Sequence, residues 1–277
     1  MEGKKQSGLR TRVITGVIFA TVVLGLLTYD RITASILLVL ITAFCTFEYT
    51  NIARKGIKDP TFNLTMLCGL GPILFSFVKP ELAEGYEFFI LMTSFCIMLS
   101  FSIFSLILNV RTNHNLLSPM IVLFYLGLPM AAIDRLLVQS DQHEQTILLG
   151  ILFSLWVSDS GAYFVGRWLG KTPLHRRVSP KKTIEGWLGG GLFAALFAYL
   201  LSLYFTDLTL LQWMIIMLVG WLAGSWGDLY ESSIKRQFDV KDSGILLPGH
   251  GGFLDRFDSF IFAAPAVLLA LYTFFNL

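Results

Sequence analysis

Long apolar runs separated by short polar segments recur along the whole of this sequence. A helix needs about 20 mostly apolar residues to cross the hydrocarbon core of a membrane, which is about 30 Å thick. Runs near that length occur at residues 13–28, 32–49, 64–78, 88–110, 116–133, 147–169, 187–205, 210–227 and 259–275. The third is short and the seventh is rich in glycine. The pattern predicts an all-α, polytopic integral membrane protein with about nine transmembrane helices.

The composition supports a membrane protein. Hydrophobic residues make up 55% of the 277 residues and charged residues 14%, whereas about 25% of residues are charged in a soluble domain. Cys45, Cys68 and Cys96 lie inside apolar runs without paired spacing, which predicts small buried hydrophobic residues and neither disulfides nor metal ligands. No small-residue cleavage pattern follows the first run, so we expect it to remain as a span.

The positions of the basic residues predict the orientation. With nine spans and the N-terminus inside, 18 of the 21 lysines and arginines fall on the inner side, and only Arg31, Lys79 and Arg135 fall outside. Short cytoplasmic loops carry such an excess of basic residues. We therefore expect a cytoplasmic N-terminus and a C-terminus on the opposite side.

The polar residues divide the chain into two parts. Residues 1–145 have short loops, and Glu48 is the one acid inside a predicted span, which we interpret as an interfacial anchor. Residues 146–277 contain nearly all of the other notable polar groups. We predict one continuous membrane domain, with N-terminal scaffold helices at 1–145 and, at 146–277, C-terminal helices that carry a site at the cytoplasmic face.

A polar segment separates the sixth apolar run from the seventh and contains residues that end one helix and begin the next. Prolines at positions 173 and 180 break the helix, and Thr183 is placed to cap the next one. Glycines at positions 186, 189, 190 and 191 would let a neighbouring backbone approach closely. The basic residues Arg176, Arg177, Lys181 and Lys182 fit either substrate binding or a topology signal that also binds anionic lipid headgroups.

Carboxylates cluster at two predicted helix ends. On a continuous helix Asp228, Glu231 and Lys235 share a face, and Asp255 and Asp258 are spaced i, i+3. Oxygen ligands of this kind suit Mg²⁺, and with no thiolate nearby and only His250 offering nitrogen, zinc is disfavoured. We predict that Asp228, Asp255 and Asp258 are catalytic metal ligands. The alternative is a structural cluster at the membrane interface, in which these acids pair with neighbouring basic residues.

Glycines and cations in the same region suit phosphate. The backbone N–H groups of Gly251 and Gly252 would be open to an anion, and cations would make charge-assisted contacts. Lys235 and Arg236 are the predicted catalytic cations. The predicted substrate-binding residues are Lys181, Lys182, Ser232, Lys241, His250, Gly251, Gly252, Arg256 and Asp159. Metal, carboxylates and cations together indicate phosphoryl or nucleotidyl transfer.

Two of these residues have alternative interpretations that the sequence leaves open. His250 would either hold its turn by a hydrogen bond or take part in proton transfer. Asp159 would either pair helices, relay protons or ligate the metal directly.

The segment from Ser232 to Asp258 also resembles a known family. It fits the pattern S-x-I-K-R-x4-K-D-x-G-x3-P-G-H-G-G-x2-D-R-x-D, which looks like the signature of the phosphatidate cytidylyltransferases, or CDP-diacylglycerol synthases. The stretch from Asp159 to Gly186 is similar to that family as well. The resemblance implies CTP and phosphatidic acid as substrates and CDP-diacylglycerol and pyrophosphate as products. It also implies Mg²⁺ at the acids matching Asp228 and Asp255, with a monovalent cation such as K⁺ sharing the site.

Two rival functions remain at this point. A CTP-dependent lipid-alcohol kinase would need the same nucleotide, metal and membrane lipid. A cation transporter would use acids along an ion path, although transporters place these near the bilayer midplane and often show repeats. As partners we expect CTP, phosphatidic acid and membrane lipids, with room for a homodimer, and no nucleic acid.

Overall fold

The computed structural model describes residues 9–54, 61–78, 85–107, 114–139, 143–244, 246–247 and 251–275. Most of this part is helical. The helices are α1 (Leu9–Tyr29), α2 (Arg31–Arg54), α3 (Phe62–Val78), α4 (Glu87–Leu106), α5 (His114–Val122), α6 (Leu128–Gln139), α7 (His143–Leu169), α8 (Ile184–Tyr204), α9 (Leu210–Gln237) and α10 (Leu254–Phe275).

Seven stretches in the described part are long and apolar enough to cross a membrane. Two shorter apolar helices, Ile14–Tyr29 and Phe62–Ser76, fall where the first and third spans are predicted. The polytopic helical architecture is therefore confirmed. The count of nine spans stays a prediction, because these two helices are shorter than the usual bilayer-crossing length.

One predicted span is interrupted by a π-helical turn. The turn covers Leu123–Gly127 and joins α5 to α6 within one apolar stretch, Leu117–Arg135. A β-carbon on Gly127 would overlap the carbonyl oxygen of Cys68 on α3. The turn therefore brings the backbones of two neighbouring helices together at a position that has no room for a side chain.

The polar ends of two helices extend beyond the predicted spans. Helix α9 continues past residue 227 to Gln237, and α10 begins at Leu254, before residue 259. A capping box between Thr209 and Gln212 starts α9. Residues 228–237 stay helical because their polar side chains pair with one another and with α10, as described below.

A short β-hairpin lies between α7 and α8, where the sequence predicts only a loop. Strands β1 (Pro173–His175) and β2 (Ser179–Thr183) pair antiparallel. Thr183 then caps α8 as predicted, since its hydroxyl oxygen accepts a hydrogen bond from Gly186 N at 3.2 Å. The hairpin fixes Lys181 and Lys182 on a strand that leads directly into α8.

Glycines pack α8 closely against α7, which confirms their predicted role. A β-carbon on Gly190 would lie 2.7 Å from Ser158 O, and one on Gly186 would lie 2.8 Å from Ala162 O. Such distances leave no space for a methyl group. The start of α8 and the end of α7 are therefore held at a fixed separation.

The cysteines only partly match their prediction. Cys45 is buried, Cys68 is half-buried and Cys96 is exposed on α4. The difference follows from the setting, because in a membrane an apolar residue is as well accommodated against lipid as in the protein interior.

Candidate active site

A cleft of about 580 Å³ is bounded by α7, β2, the first turns of α8 and α10, and the middle of α9. Six of the residues predicted from the sequence line it: Asp159, Lys181, Lys182, Asp228, Asp255 and Asp258. These residues are up to 99 positions apart (258 minus 159). The fold thus brings the two predicted polar regions to one place.

Asp255 is held by several donors in the first turn of α10. Its Oδ1 accepts from Lys235 Nζ at 2.7 Å, and its Oδ2 accepts from Ser243 N and Gly252 N, each at 3.0 Å. Charge-assisted bonds of this kind are stronger than neutral ones. The carboxylate is therefore fixed in orientation at the edge of the cleft.

Lys235 links the ends of α9 and α10. Its Nζ lies 2.7 Å from Glu231 Oε2 and 2.7 Å from Asp255 Oδ1. Glu231 is fully buried, so its negative charge needs this partner. Lys235 is placed one helical turn after Glu231, which satisfies the i, i+4 geometry.

Asp228 forms an ion pair with Lys182 of β2. The two side chains are 21% and 42% exposed, so the pair faces the open cleft. Partial burial within the cleft lowers the pKa of the Lys182 ammonium below its ordinary value, while the carboxylates of Asp159 and Asp258 oppose that shift. The ammonium is thus surrounded by carboxylates from three different helices.

Asp159 and Asp258 line the cleft from α7 and α10. Asp258 is buried, and its Oδ1 accepts from Ser259 N at 2.6 Å. Asp159 is exposed on α7, one turn before Tyr163. Arg167, a further turn on, donates to the Tyr163 hydroxyl at 3.2 Å.

Seven of the predicted residues that the structure describes do not line the cleft: Ser232, Lys235, Arg236, Lys241, Gly251, Gly252 and Arg256. Arg236 donates to Val240 O at 3.1 Å, in the segment that follows α9, so it stabilises the end of α9. Lys241 and Arg256 are exposed, and Ser232 is half-buried on α9. His250 lies outside the described residues.

The open backbone amides expected at the glycine-rich turn are not found at its two described glycines. Gly251 N donates to Leu247 O at 3.1 Å, and Gly252 N donates to Asp255 Oδ2. Gly251 also has a φ of 93°, a conformation that favours glycine. These glycines shape the loop around Asp255, and their amides are occupied by the protein itself.

The donor chemistry of the cleft suits a hard cation. In the part of the chain that the structure describes, the cleft and the adjoining ion pairs of Lys235 contain five carboxylates (Asp159, Asp228, Glu231, Asp255 and Asp258) and four cations (Arg167, Lys181, Lys182 and Lys235). A divalent cation would reduce this excess of negative charge. Among the same described residues, no three acid, histidine or cysteine side chains already converge on one point. Magnesium binding at Asp228, Asp255 and Asp258 stays a prediction.

Several residues of the site were not predicted from the sequence. Arg167 lines the cleft, as does the pair Trp187 and Trp221, whose ring centroids are 4.5 Å apart. The i, i+4 spacing from Tyr163 was a signal for Arg167, and Glu231 was placed on one face with Asp228 and Lys235 but given no role. Nothing in the local sequence of Glu48 indicates that it contacts the loop before α10.

A second cavity of about 580 Å³ lies between α3, α4 and α6. It is mainly apolar, and its charged pair is Glu87 and Arg135, with Oε1 and Nη2 3.2 Å apart. Phe88, next to Glu87, contacts Tyr272 near the end of α10, with ring centroids 6.1 Å apart. This cavity is therefore close to the opposite end of α10 from Asp255.

The similarity to known proteins covers nearly the whole chain, beyond the motif regions. Residues 10–274 match the model of the cytidylyltransferase family. A phosphatidate cytidylyltransferase of Bacillus subtilis (strain 168) is 33% identical over 275 residues, which cover 96% of this chain and 99% of that protein. The phosphatidate cytidylyltransferase of Staphylococcus aureus (strain COL) is 50% identical over 119 residues, covering 42% of this chain and 45% of that protein.

Proposed function

We propose that this chain, which belongs to the cytidylyltransferase family, transfers a cytidylyl group from CTP to phosphatidic acid, forming CDP-diacylglycerol and pyrophosphate. The observation that carries the proposal is the near full-length similarity to a phosphatidate cytidylyltransferase. The cleft supports it, because acids and lysines from both motif regions meet there beside exposed apolar residues.

The reaction we propose is a direct displacement. The phosphate of the lipid is already ionised at neutral pH, so it attacks the α-phosphorus of CTP without a protein base, and pyrophosphate leaves. Bringing two polyanions together costs Coulombic repulsion, which the ammonium groups of Lys182 and Lys235 offset. When the two ammonium groups contact phosphate oxygens, their ion pairs with the carboxylates weaken.

Asp228, Asp255 and Asp258 are the residues that would hold Mg²⁺. The bound cation supplies neutralisation of phosphate charge and a template for the two substrates. The three carboxylates line one cleft from two helices, which supports their assignment. Lys182 and Lys235 would keep these carboxylates in place while the cation is absent.

We also propose that the cleft opens at the cytoplasmic face and that the N-terminus lies on the same side as the cleft. The excess of basic residues on the predicted inner side supports this orientation. In this arrangement CTP reaches the cleft from the cytoplasm, and the lipid reaches it from the adjoining leaflet.

Product analysis tests the proposed function against the lipid-alcohol kinase. Purified protein is incubated with Mg²⁺ and CTP labelled at either the α- or the γ-phosphorus, with phosphatidic acid or diacylglycerol as acceptor. We expect the α-label in a CDP-lipid and the γ-label in pyrophosphate, with phosphatidic acid only. Transfer of the γ-label to diacylglycerol would instead establish a kinase.

Two further measurements address the mechanism and the transporter alternative. A single displacement inverts the configuration at the α-phosphorus of chirally labelled α-thio-CTP, whereas a covalent cytidylyl-enzyme would give retention. Proteoliposomes that show cation flux without CDP-lipid formation would favour the transporter. We expect inversion and no flux.

A further inference from the structure

Glu48 of α2 contacts the segment that precedes α10, although 195 positions separate it from Ser243. Its Oε2 accepts a hydrogen bond from Ser243 Oγ at 2.9 Å and from Leu254 N at 2.8 Å. The residue is only 2% exposed. One carboxylate oxygen thus holds both the loop and the first residue of α10.

Ser243 connects Glu48 to the candidate metal ligand Asp255. Its backbone N donates to both oxygens of Asp255, at 3.0 and 3.2 Å, and its hydroxyl oxygen accepts from Asp255 N at 3.3 Å. The same hydroxyl donates to Glu48. The position of the Asp255 carboxylate is therefore linked through a single serine to a helix in the N-terminal half.

The packing around Glu48 leaves little freedom for this contact. A β-carbon on Gly244 would overlap Glu48 Oε1, and one on Gly252 would lie 2.6 Å from Glu48 Oε2 and overlap Ser243 Oγ. The two glycines therefore let the loop backbone close directly onto the carboxylate. The glycines of the signature segment serve here to approach an acid of the protein, where the sequence alone indicated a phosphate.

We propose that Glu48 is a positioning residue for the transfer reaction: it anchors Ser243 and Leu254 to α2 and so fixes the Asp255 carboxylate in the cleft. Glu48 does not line the cleft and acts through Ser243 and the backbone of Leu254. The kinetic part of this inference rests on the proposed function, whereas the anchoring part does not.

The chemistry of the contact allows reach and charge to be separated. Since one oxygen accepts both hydrogen bonds, Glu48→Gln keeps an acceptor at the same distance and loses the charge. Glu48→Asp keeps the charge and shortens the side chain by one methylene, so the acceptor no longer reaches Ser243 and Leu254. A positioning residue requires reach, whereas a metal ligand or a base requires charge.

The first measurement is steady-state formation of CDP-lipid at varied Mg²⁺. Groups that orient a metal ligand typically affect metal affinity or activity by about 10- to 100-fold. We expect Glu48→Asp to lower kcat at least about tenfold and to raise the half-saturating Mg²⁺ concentration, while Glu48→Gln stays within about threefold of the native values. Ser243→Ala should resemble Glu48→Asp, and the double variant should be little worse than either, because both act on one linkage.

The second measurement is amide hydrogen exchange without substrates, which does not depend on activity. We expect Glu48→Asp and Ser243→Ala to raise exchange selectively in peptides covering residues 240–256, and Glu48→Gln to leave it nearly unchanged. Glu87→Asp is the matched control, since it shortens a buried acid on α4 that is part of the second cavity. It should not raise exchange selectively at 240–256.

The outcomes distinguish a failure of the proposed function from a failure of the anchoring role of Glu48. If the native protein forms no CDP-lipid, the proposed function fails, and hydrogen exchange still decides whether Glu48 anchors the segment. Unchanged exchange in Glu48→Asp and Ser243→Ala overturns the anchoring role. A Glu48→Gln variant as inactive as Glu48→Asp, with normal exchange, overturns positioning in favour of a direct chemical role for the charge.

Discussion

The two cavities have the same volume of about 580 Å³ but different chemistry. In the cleft, carboxylates exceed the ammonium groups beside them, and the Lys182 and Asp228 side chains are 42% and 21% exposed. In the second cavity, Arg135 and Glu87 pair with each other and are only 5% and 8% exposed. Volume alone therefore does not distinguish them; the accessibility and imbalance of charge do.

This difference separates function from stability. Charged groups that face open space can exchange their partners for a substrate or a cation with little structural change. A buried charged pair cannot do so, and removing one partner costs stability because the other charge stays buried without that counter-charge. We therefore expect substitutions in the cleft to reduce turnover, and substitutions in the second cavity to reduce the free energy of unfolding.

The largest effect should come from the acids of the cleft. Asp228→Asn keeps the shape and removes a charge that we assign to metal binding. A loss of about 4 kcal/mol in transition-state stabilisation lowers kcat by about a thousandfold. CDP-lipid formation measures this loss, and thermal unfolding in detergent should change little. Asp255→Asn should lose turnover to a similar extent. Near-native turnover at ordinary Mg²⁺ would contradict the metal assignment.

The opposite result is expected in the second cavity. Arg135→Met leaves Glu87 buried without this partner, which typically costs about 3 kcal/mol or more. Thermal unfolding should shift clearly, while kcat per folded molecule stays within about twofold. The matched double variant, with Glu87→Gln added, should recover part of the stability. A loss of kcat without a loss of stability would place this cavity in the reaction.

An intermediate effect is expected at the contact between α7 and α8, two of the helices that bound the cleft. Gly190→Ala adds a methyl group 2.7 Å from Ser158 O. Such overpacking typically lowers the free energy of unfolding by about 1–3 kcal/mol, which thermal unfolding measures. The matched control is Gly25→Ala on α1, where a β-carbon meets nothing within 4 Å. That control should be neutral or slightly stabilising, because alanine favours helix over glycine. Equal effects at both positions would refute close packing of α7 and α8.

The smallest effect should come from the exposed cations. Lys181→Ala removes a cation that lines the cleft, and we expect KM for CTP to rise about threefold, with less effect at high salt. Arg177→Ala is the control, since Arg177 is exposed on the same hairpin but does not line the cleft. Matching effects of the two changes would indicate general attraction of anions by the hairpin.

The sequence predicted those features that depend on local spacing. Apolar runs located the helices, and the polar motif located Asp228, Asp255 and Asp258. The glycine contacts of α8 and the Thr183 cap also follow from short-range patterns. Each of these is encoded within a few residues, so no knowledge of distant packing was needed.

Features that depend on distant contacts were not predictable in this way. Glu48 was interpreted as an interfacial anchor, because nothing near it in the chain indicates Ser243 as its partner. The amides of Gly251 and Gly252 were expected to be open, because their acceptors, Leu247 and Asp255, are defined only when the loop closes. The polar extension of α9 depends on pairing with α10 through Lys235.

The length of α9 has a consequence for how the lipid meets the protein. Its 28 residues span about 42 Å, against a hydrocarbon core of about 30 Å. Counting about 20 residues from Leu210 reaches the far edge of that core within one turn of Asp228. A span that starts at Leu210 would place the acid at the depth where phospholipid phosphates reside. Lifting two chains of about 16 carbons into water would cost roughly 25 kcal/mol. A lipid that diffuses sideways into the cleft keeps its chains solvated by its neighbours, and its product leaves by the same two-dimensional route.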